Sequence, residues 1–144
     1  MAKRNLPLYD VDKAVGPKKP NLDQDVQLIR QLLIKLQQGG DPLTAGIPPV
    51  AATGPFDAAL GAAILQYQTN GVKRGFRMVA DGVIDPLPSR SGGVGDSDAT
   101  FSSGAFSTLF AMDVRLFRIN RPVYLALGDQ LNLPWTPDPF KIGS

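Results

Sequence analysis

Apolar residues recur with the period of an α-helix between Asn21 and Gln38. Positions i, i+3, i+7 and i+10 of this segment define one apolar face, made of Val26, Ile29, Leu33 and Leu36. The opposite face is polar and is expected to meet solvent; it carries Gln24, Gln27, Arg30, Gln31 and Lys35. Asn21 is predicted to cap the helix, with Gln24 completing a capping box, and Gly39-Gly40 is predicted to end it.

Two further segments have the same helical period. The first is predicted to run from Phe56 to Thr69 and to end at Asn70-Gly71; its buried stripe consists of Phe56, Leu60, Ile64 and Tyr67. The second is predicted from Ser103 to Asn120 and has two adjacent stripes, Leu109, Met112, Leu116 and Ile119 beside Phe106, Phe110, Val114 and Phe117. Because three such faces can be buried against one another, the predicted fold class is all-α, a compact three-helix domain.

The remaining segments divide the chain around this domain. Residues 1–20 contain three prolines and lack a helical period, so we predict an extended N-terminal arm that lies on the domain through Leu6, Leu8, Tyr9 and Val11. The helical domain is assigned to residues 21–121, with a flexible Ser/Gly-rich loop insertion at 87–102. Residues 122–144 form a C-terminal extension packed on the domain or on a partner, with one short apolar segment that fits a helix at Val123–Leu131 and an irregular tail containing Trp135 and Phe140.

Composition restricts the chemistry. All 13 acidic residues are Asp, and the chain contains no Glu, no His and no Cys. Ser-His-Asp and Cys-His nucleophile systems, zinc sites with nitrogen or sulfur ligands, and disulfides are therefore excluded. We predict that the protein is not an enzyme and that it has no metal and no other cofactor.

Charge and hydropathy restrict the partners. A net charge of +2 is too low for the dense basic stripe of a nucleic-acid-binding protein. No apolar run reaches the length of about 18 residues that spans a membrane, and residues 1–7 lack the apolar core of a secretory signal. Neither nucleic acid nor membrane is predicted as a partner. Synthesis in the cytoplasm is expected, the final location stays open, and a phage or secretion apparatus is one route of delivery.

A series of short motifs follows the order of the predicted helices. The first helix contains the run from Asp25 to Leu33, DVQLIRQLL, and a turn follows at Thr53-Gly54-Pro55-Phe56-Asp57. The second helix contains Ala63-Ile64 and Tyr67-Gln68, and a second turn follows at Asp81-Gly82-Val83-Ile84-Asp85-Pro86. Over residues 21–86 this order resembles the peptidoglycan-binding-like domain, a three-helix module of bacterial cell-wall hydrolases and their relatives, in a divergent form. The departures are Thr53, Asp57, Leu60 and Leu87-Pro88 at positions where the family pattern has other residues.

The resemblance implies a non-catalytic module that binds peptidoglycan in a groove between helices. Structural roles are expected for four motif residues, Gly54, Phe56, Ile64 and Gly82. The residues expected to contact the stem peptide or the glycan are Tyr67, Gln68, Lys73, Arg74, Arg77 and Asp81. From the residues themselves, Tyr67 also fits a place in the core, Asp81 can close its own turn, and the three basic residues fit either a solvated loop or a surface that faces an anion. The row Arg115, Arg118 and Arg121 has the same two interpretations.

A second hypothesis belongs to another class of function. The arm at 1–20 and the proline-rich tail around Trp135 are typical of segments that order against a partner, which favours a structural or adaptor protein of a phage particle or a contractile injection or secretion apparatus. A third hypothesis, a wall hydrolase, is disfavoured by the absence of Glu, His and Cys.

Overall fold

The computed structural model describes residues 8–88, 99–101 and 103–131, and this part of the chain is all-α, as the sequence predicts. It contains four α-helices: α1 at Asp23–Gln38, α2 at Ala58–Lys73, α3 at Thr108–Ile119 and α4 at Arg121–Gln130. A short 3₁₀-helix at Pro42–Thr44 lies between α1 and α2. The three predicted helices correspond to α1, α2 and α3, and the short apolar segment at Val123–Leu131, which fits a helix in the sequence, lies almost wholly in α4. Within these ranges no helix has the length and apolarity to cross a membrane.

Helix α1 begins two residues later than predicted, and Asn21 is not its cap. Asn21 has a positive φ of 48°, and its side chain accepts from the Gly16 N–H at 2.8 Å and donates to the Gly16 carbonyl at 2.9 Å. Leu22 takes the N-cap position without a side-chain bond. The predicted capping box is wrong because the Asn21 amide closes the turn before the helix instead.

Helix α2 is shifted toward the C-terminus relative to the prediction. Asp57 is the N-cap, and its carboxylate accepts from the Leu60 N–H at 2.8 Å. Asn70 does not end the helix; its amide donates to the carbonyls of Leu43 and Ala45, at 2.9 and 2.8 Å, and so ties α2 to the 3₁₀ segment. Gly71 lies within the helix, and only a glycine fits there without a shift, because a Cβ would lie 2.7 Å from the sulfur of Met78.

Helices α3 and α4 are both capped by side chains. Ser107, rather than a residue near Ser103, starts α3 by accepting from the Phe110 N–H at 3.1 Å. Asn120 ends α3 with a non-helical φ of −152° and caps α4 by accepting from the Val123 N–H at 3.2 Å. A proline follows at the first turn of α4, where its missing N–H costs nothing.

One hydrophobic core joins the helices to the segment that precedes them. Helix α3 packs against α1 and α4, and α2 packs against the 3₁₀-helix. The predicted arm contributes four fully buried apolar side chains, Leu8, Tyr9, Val11 and Val15. Leu6, Trp135 and Phe140 lie outside the described residues.

Tyrosine contacts hold the start of the described chain against α4. The Tyr9 hydroxyl donates to the Leu125 carbonyl at 3.1 Å and accepts from the Gly128 N–H at 2.7 Å. The Tyr124 hydroxyl accepts from the Tyr9 N–H at 3.2 Å and donates to Asp113 at 2.9 Å. These contacts join residues more than a hundred positions apart in the sequence. The arm and α4 therefore hold each other in place.

The predicted solvent face of α1 is wrong at Arg30 and Gln31, which are both buried. The Arg30 guanidinium donates to the carbonyls of Ala51, Gly54 and Pro55 and lies 3.5 Å from the Asp57 carboxylate. These bonds satisfy a guanidinium that would be costly to bury alone, and they fix the loop that leads into α2.

A buried carboxylate connects the 3₁₀ segment, α2 and α3. Asp41 accepts from the Arg115 Nε at 2.9 Å, from the Tyr67 hydroxyl at 3.1 Å and from the Leu43 N–H at 3.1 Å. The Arg115 side chain is 28% exposed and that of Asp41 is fully covered. Arg115 therefore does not belong to a free outer row of arginines, as one interpretation of the sequence expected; it forms an internal ion pair.

Replacing Asp41 with Ala is expected to lower the free energy of unfolding by about 3–5 kcal/mol, because the Arg115 guanidinium and the Tyr67 hydroxyl lose a buried partner. Urea unfolding followed by circular dichroism measures the change. Arg118→Met, on the exposed side of the same helix, is the control and should change stability by less than about 0.5 kcal/mol. Equal stabilities of Asp41→Ala and wild type would contradict the assigned role of Asp41.

Candidate functional site

A polar groove lies where the middle of α2, the turn after it and the start of α3 come together. Its volume is about 230 Å³. Two predicted ligand residues, Gln68 and Asp81, are among the residues that line it. The others are Val79, Val83, Asp85, Phe101, Ser103, Ala105, Phe106, Ser107 and Thr108.

Gln68 forms the floor of this polar groove and organises its walls. The side-chain amide nitrogen donates to the Val83 carbonyl at 2.9 Å and to the Thr108 hydroxyl at 3.1 Å, and the amide oxygen accepts from the Gly82 N–H at 2.8 Å. The side chain is almost fully buried. Gln68 therefore positions the turn and the N-terminus of α3, and its bonding capacity is largely used within the fold.

The Asp81-Gly82 turn forms one edge of the polar groove. An Asp81 carboxylate oxygen accepts from the Val83 N–H at 2.9 Å, and Gly82 has a φ of 75°, a conformation that a side chain disfavours. Asp85 adds a second carboxylate on the same edge. Partial desolvation, and then the negative charge of Asp81, raise the pKa of Asp85 above its ordinary value, while the positive charge of Lys19 opposes this shift.

The hydroxyl and aromatic groups form the opposite wall of the polar groove. Ser107 and Thr108 belong to the capped start of α3, and Ser103 bonds to the Ala105 N–H through its hydroxyl oxygen at 3.3 Å. Phe106 is held in place because its N–H donates to the Arg77 carbonyl at 2.9 Å. Phe101 and Phe106 are both half-buried, so part of each ring meets the space of the groove.

The other predicted ligand residues are not among those that line the polar groove. Tyr67 is fully buried and donates to Asp41. Lys73 and Arg74 lie at the end of α2 and Arg77 lies in the segment after it; all three are exposed. The structure thus brings Gln68 and Asp81 together and separates them from Tyr67.

The four predicted structural residues lie at turns and in the core. Gly54 has a φ of 121°, and its carbonyl accepts from the side chains of Gln27 and Arg30. Phe56 is half-buried, with its ring against the backbone of Gly61. Ile64 is buried in the core, and the positive φ of Gly82 permits the turn beside Gln68.

Two polar residues that hold the fold together, Arg30 and Asp41, were not predicted to be internal. Arg30 follows Val26 by four positions and precedes Leu33 by three, so its spacing places it beside two core residues; that signal was available. Asp41 had no comparable signal, because its partners Tyr67 and Arg115 come from distant parts of the chain.

All three tyrosines of the chain are buried, which determines its behaviour in alkali. Burial raises the pKa of Tyr9 to about 12 and raises the pKa values of Tyr67 and Tyr124 well above 10.0. The folded state therefore holds protons that the unfolded state releases near pH 10, so stability should fall as the pH rises through that range.

Tyrosinate absorbance should stay low near pH 10 and increase only as the pH approaches 12, together with loss of the helical circular dichroism signal. The same protein in concentrated urea, where the phenols are exposed, should titrate near the ordinary value of 10. A phenol that ionises near pH 10 while the helical signal is intact would contradict the buried placement.

The polar groove combines hydrogen-bonding groups with two half-buried rings, which is a surface for binding a small polar ligand. The part of the chain that the structure describes contains no group of three or more carboxylates able to hold a metal ion.

Comparisons of the chain with protein-family models, with curated proteins and with solved structures find no match.

Proposed function

We propose that the protein is a non-catalytic module that binds bacterial cell-wall peptidoglycan in the polar groove between α2 and α3. The observation that carries the proposal is that Gln68 and Asp81, two motif residues on which the resemblance rests, line the same groove. The all-α architecture is compatible with a helical wall-binding module.

The chemistry of the polar groove favours the glycan over the stem peptide. Sugar hydroxyls can donate to the Asp81 and Asp85 carboxylates and exchange hydrogen bonds with the Ser103 hydroxyl. The apolar faces of sugar rings can pack on Phe101 and Phe106. Stem-peptide carboxylates would approach two carboxylates, which is repulsive. The basic residues Lys73, Arg74 and Arg77, expected to face an anion, do not line this groove.

Binding should be weak, because the polar groove is small and open and much of its polar lining is already bonded within the fold. Gln68 is a poor choice for mutagenesis, since its removal would disturb the Gly82 turn and the start of α3 together. Phe101 is a better choice because its half-buried ring lines the groove and no helix depends on it.

Purified sacculi should retain the wild-type protein in a pull-down at low salt. Phe101→Ala should weaken retention about fivefold to tenfold, as expected for the loss of one aromatic contact. Phe117→Ala removes a half-buried aromatic residue of α3 that does not line this groove and whose ring packs on Tyr124; it is the matched control and should bind as wild type does. Circular dichroism melting shows that each variant is folded.

Absence of wild-type retention at low salt would refute wall binding. Release of soluble fragments from the sacculi would refute the non-catalytic assignment. Equal retention of wild type and Phe101→Ala would show that wall binding does not use this groove.

A further inference from the structure

A second groove, the aromatic groove, runs along a partly exposed face of α3, and its apolar side chains pack against the core on their buried side. Its lining includes the buried Ala111 and five larger apolar side chains: Phe76, Phe106, Phe110, Val114 and Phe117. Its volume is about 470 Å³, about twice that of the polar groove. All five side chains are only half-buried, so the groove is an apolar surface open to a partner.

Ring contacts give the aromatic groove a defined shape. The centroids of Phe76 and Phe106 are 5.5 Å apart, and those of Phe106 and Phe110 are 5.8 Å apart at nearly right angles. At the other end, Phe117 makes a perpendicular contact with the buried Tyr124 at 5.7 Å. The groove is therefore preformed, which reduces the entropy lost on binding.

Arginine residues surround these rings. Arg115 lies 5.9 Å from the centre of the Phe76 ring and is fixed by Asp41, and Arg121 lies 4.9 Å from the centre of the Phe117 ring. Arg118 belongs to the lining and is exposed. The described residues that line the groove include two arginines, Arg115 and Arg118, and no carboxylate. Because Asp41 balances the charge of Arg115, the positive border of the aromatic groove consists of Arg118 and of Arg121 beside Phe117.

We propose that the aromatic groove docks an amphipathic helix of a partner protein that carries acidic residues beside its apolar face. Apolar side chains of such a helix would pack on the phenylalanines, as in other complexes in which a helix lies in a groove. Its carboxylates would pair with Arg118 and Arg121, and this charge complementarity selects an acidic partner. Aromatic and arginine residues are the types that most often dominate binding energy at interfaces.

This inference goes beyond wall binding and does not depend on it, because the polar groove and the aromatic groove share only Phe106. It gives the adaptor hypothesis a specific surface. A second copy of the chain is a poor occupant, since the same positive border would face itself across a symmetric interface.

A pair of synthetic peptides tests the proposal on the full chain. Each forms an amphipathic helix of about five turns with Leu and Phe on one face; the polar face carries Glu in one peptide and Lys in the other. Fluorescence anisotropy of the labelled peptides should show at least about tenfold tighter binding of the acidic peptide, and added salt should reduce the difference.

Two variants in the aromatic groove should weaken binding of the acidic peptide by about tenfold or more. Phe110→Ala removes a ring, and Arg118→Glu reverses a charge. Two controls should bind the acidic peptide as wild type does. Phe101→Ala alters only the polar groove, and Lys73→Glu reverses an exposed charge that is not in the lining. Sacculi retention of Phe117→Ala, which removes a ring of the aromatic groove and none of the polar groove, should be unchanged, which separates this test from that of wall binding.

Three results would overturn the proposal. The first is equal or undetectable binding of the two peptides, and the second is a wild-type dimer that Arg118→Glu dissociates. The third is a change in the emission of Trp135, the single tryptophan, in the Phe110→Ala and Arg118→Glu variants without peptide, because the chain itself would then occupy the groove.

Discussion

The relative positions of the helices depend on the interactions of the Asp41 carboxylate. It lies between the end of α1 and the 3₁₀-helix and accepts from Tyr67 of α2 and from Arg115 of α3. Because the carboxylate is fully covered, its charge is tolerable only while both partners are in place. The pair is thus a constraint on geometry more than a source of net stability, since an apolar substitute of the same shape could stabilise as well.

The position of α3 in turn determines both surfaces proposed for binding. Its N-terminus, capped by Ser107 and bonded to Gln68 through Thr108, forms a wall of the polar groove. Its partly exposed face provides most of the aromatic groove, and Arg115 reaches from that face to Asp41. Phe106 is common to both grooves. The two proposals therefore concern neighbouring surfaces of one helix, which meet at Phe106.

Prediction succeeded where local periodicity carried the information. The stripe from Val26 to Leu36 is buried, and the predicted helix between Phe56 and Thr69 overlaps most of α2. It failed where one side chain could serve two purposes. Asn21 suits a cap but closes a turn, and Asn70 suits a helix end but bonds to the 3₁₀ segment. Arg30 was placed on the polar face of the first helix, and it is buried there because carbonyl groups from residues 51–55 accept its hydrogen bonds.

The sequence by itself determined the all-α class and the absence of His, Cys and Glu chemistry, and it indicated the turns at Gly54 and Gly82, because periodicity, composition and glycine conformation are local properties. Only the tertiary structure decided which polar residues are internal. Gln68, which is predicted to contact a ligand, lines the polar groove and also bonds to Gly82 within the fold; Asp41, Arg115 and Tyr67 meet in the core although they lie up to 74 positions apart. The reason is physical: a buried polar group is stable only with its partners, and those partners come together through packing rather than through proximity in sequence.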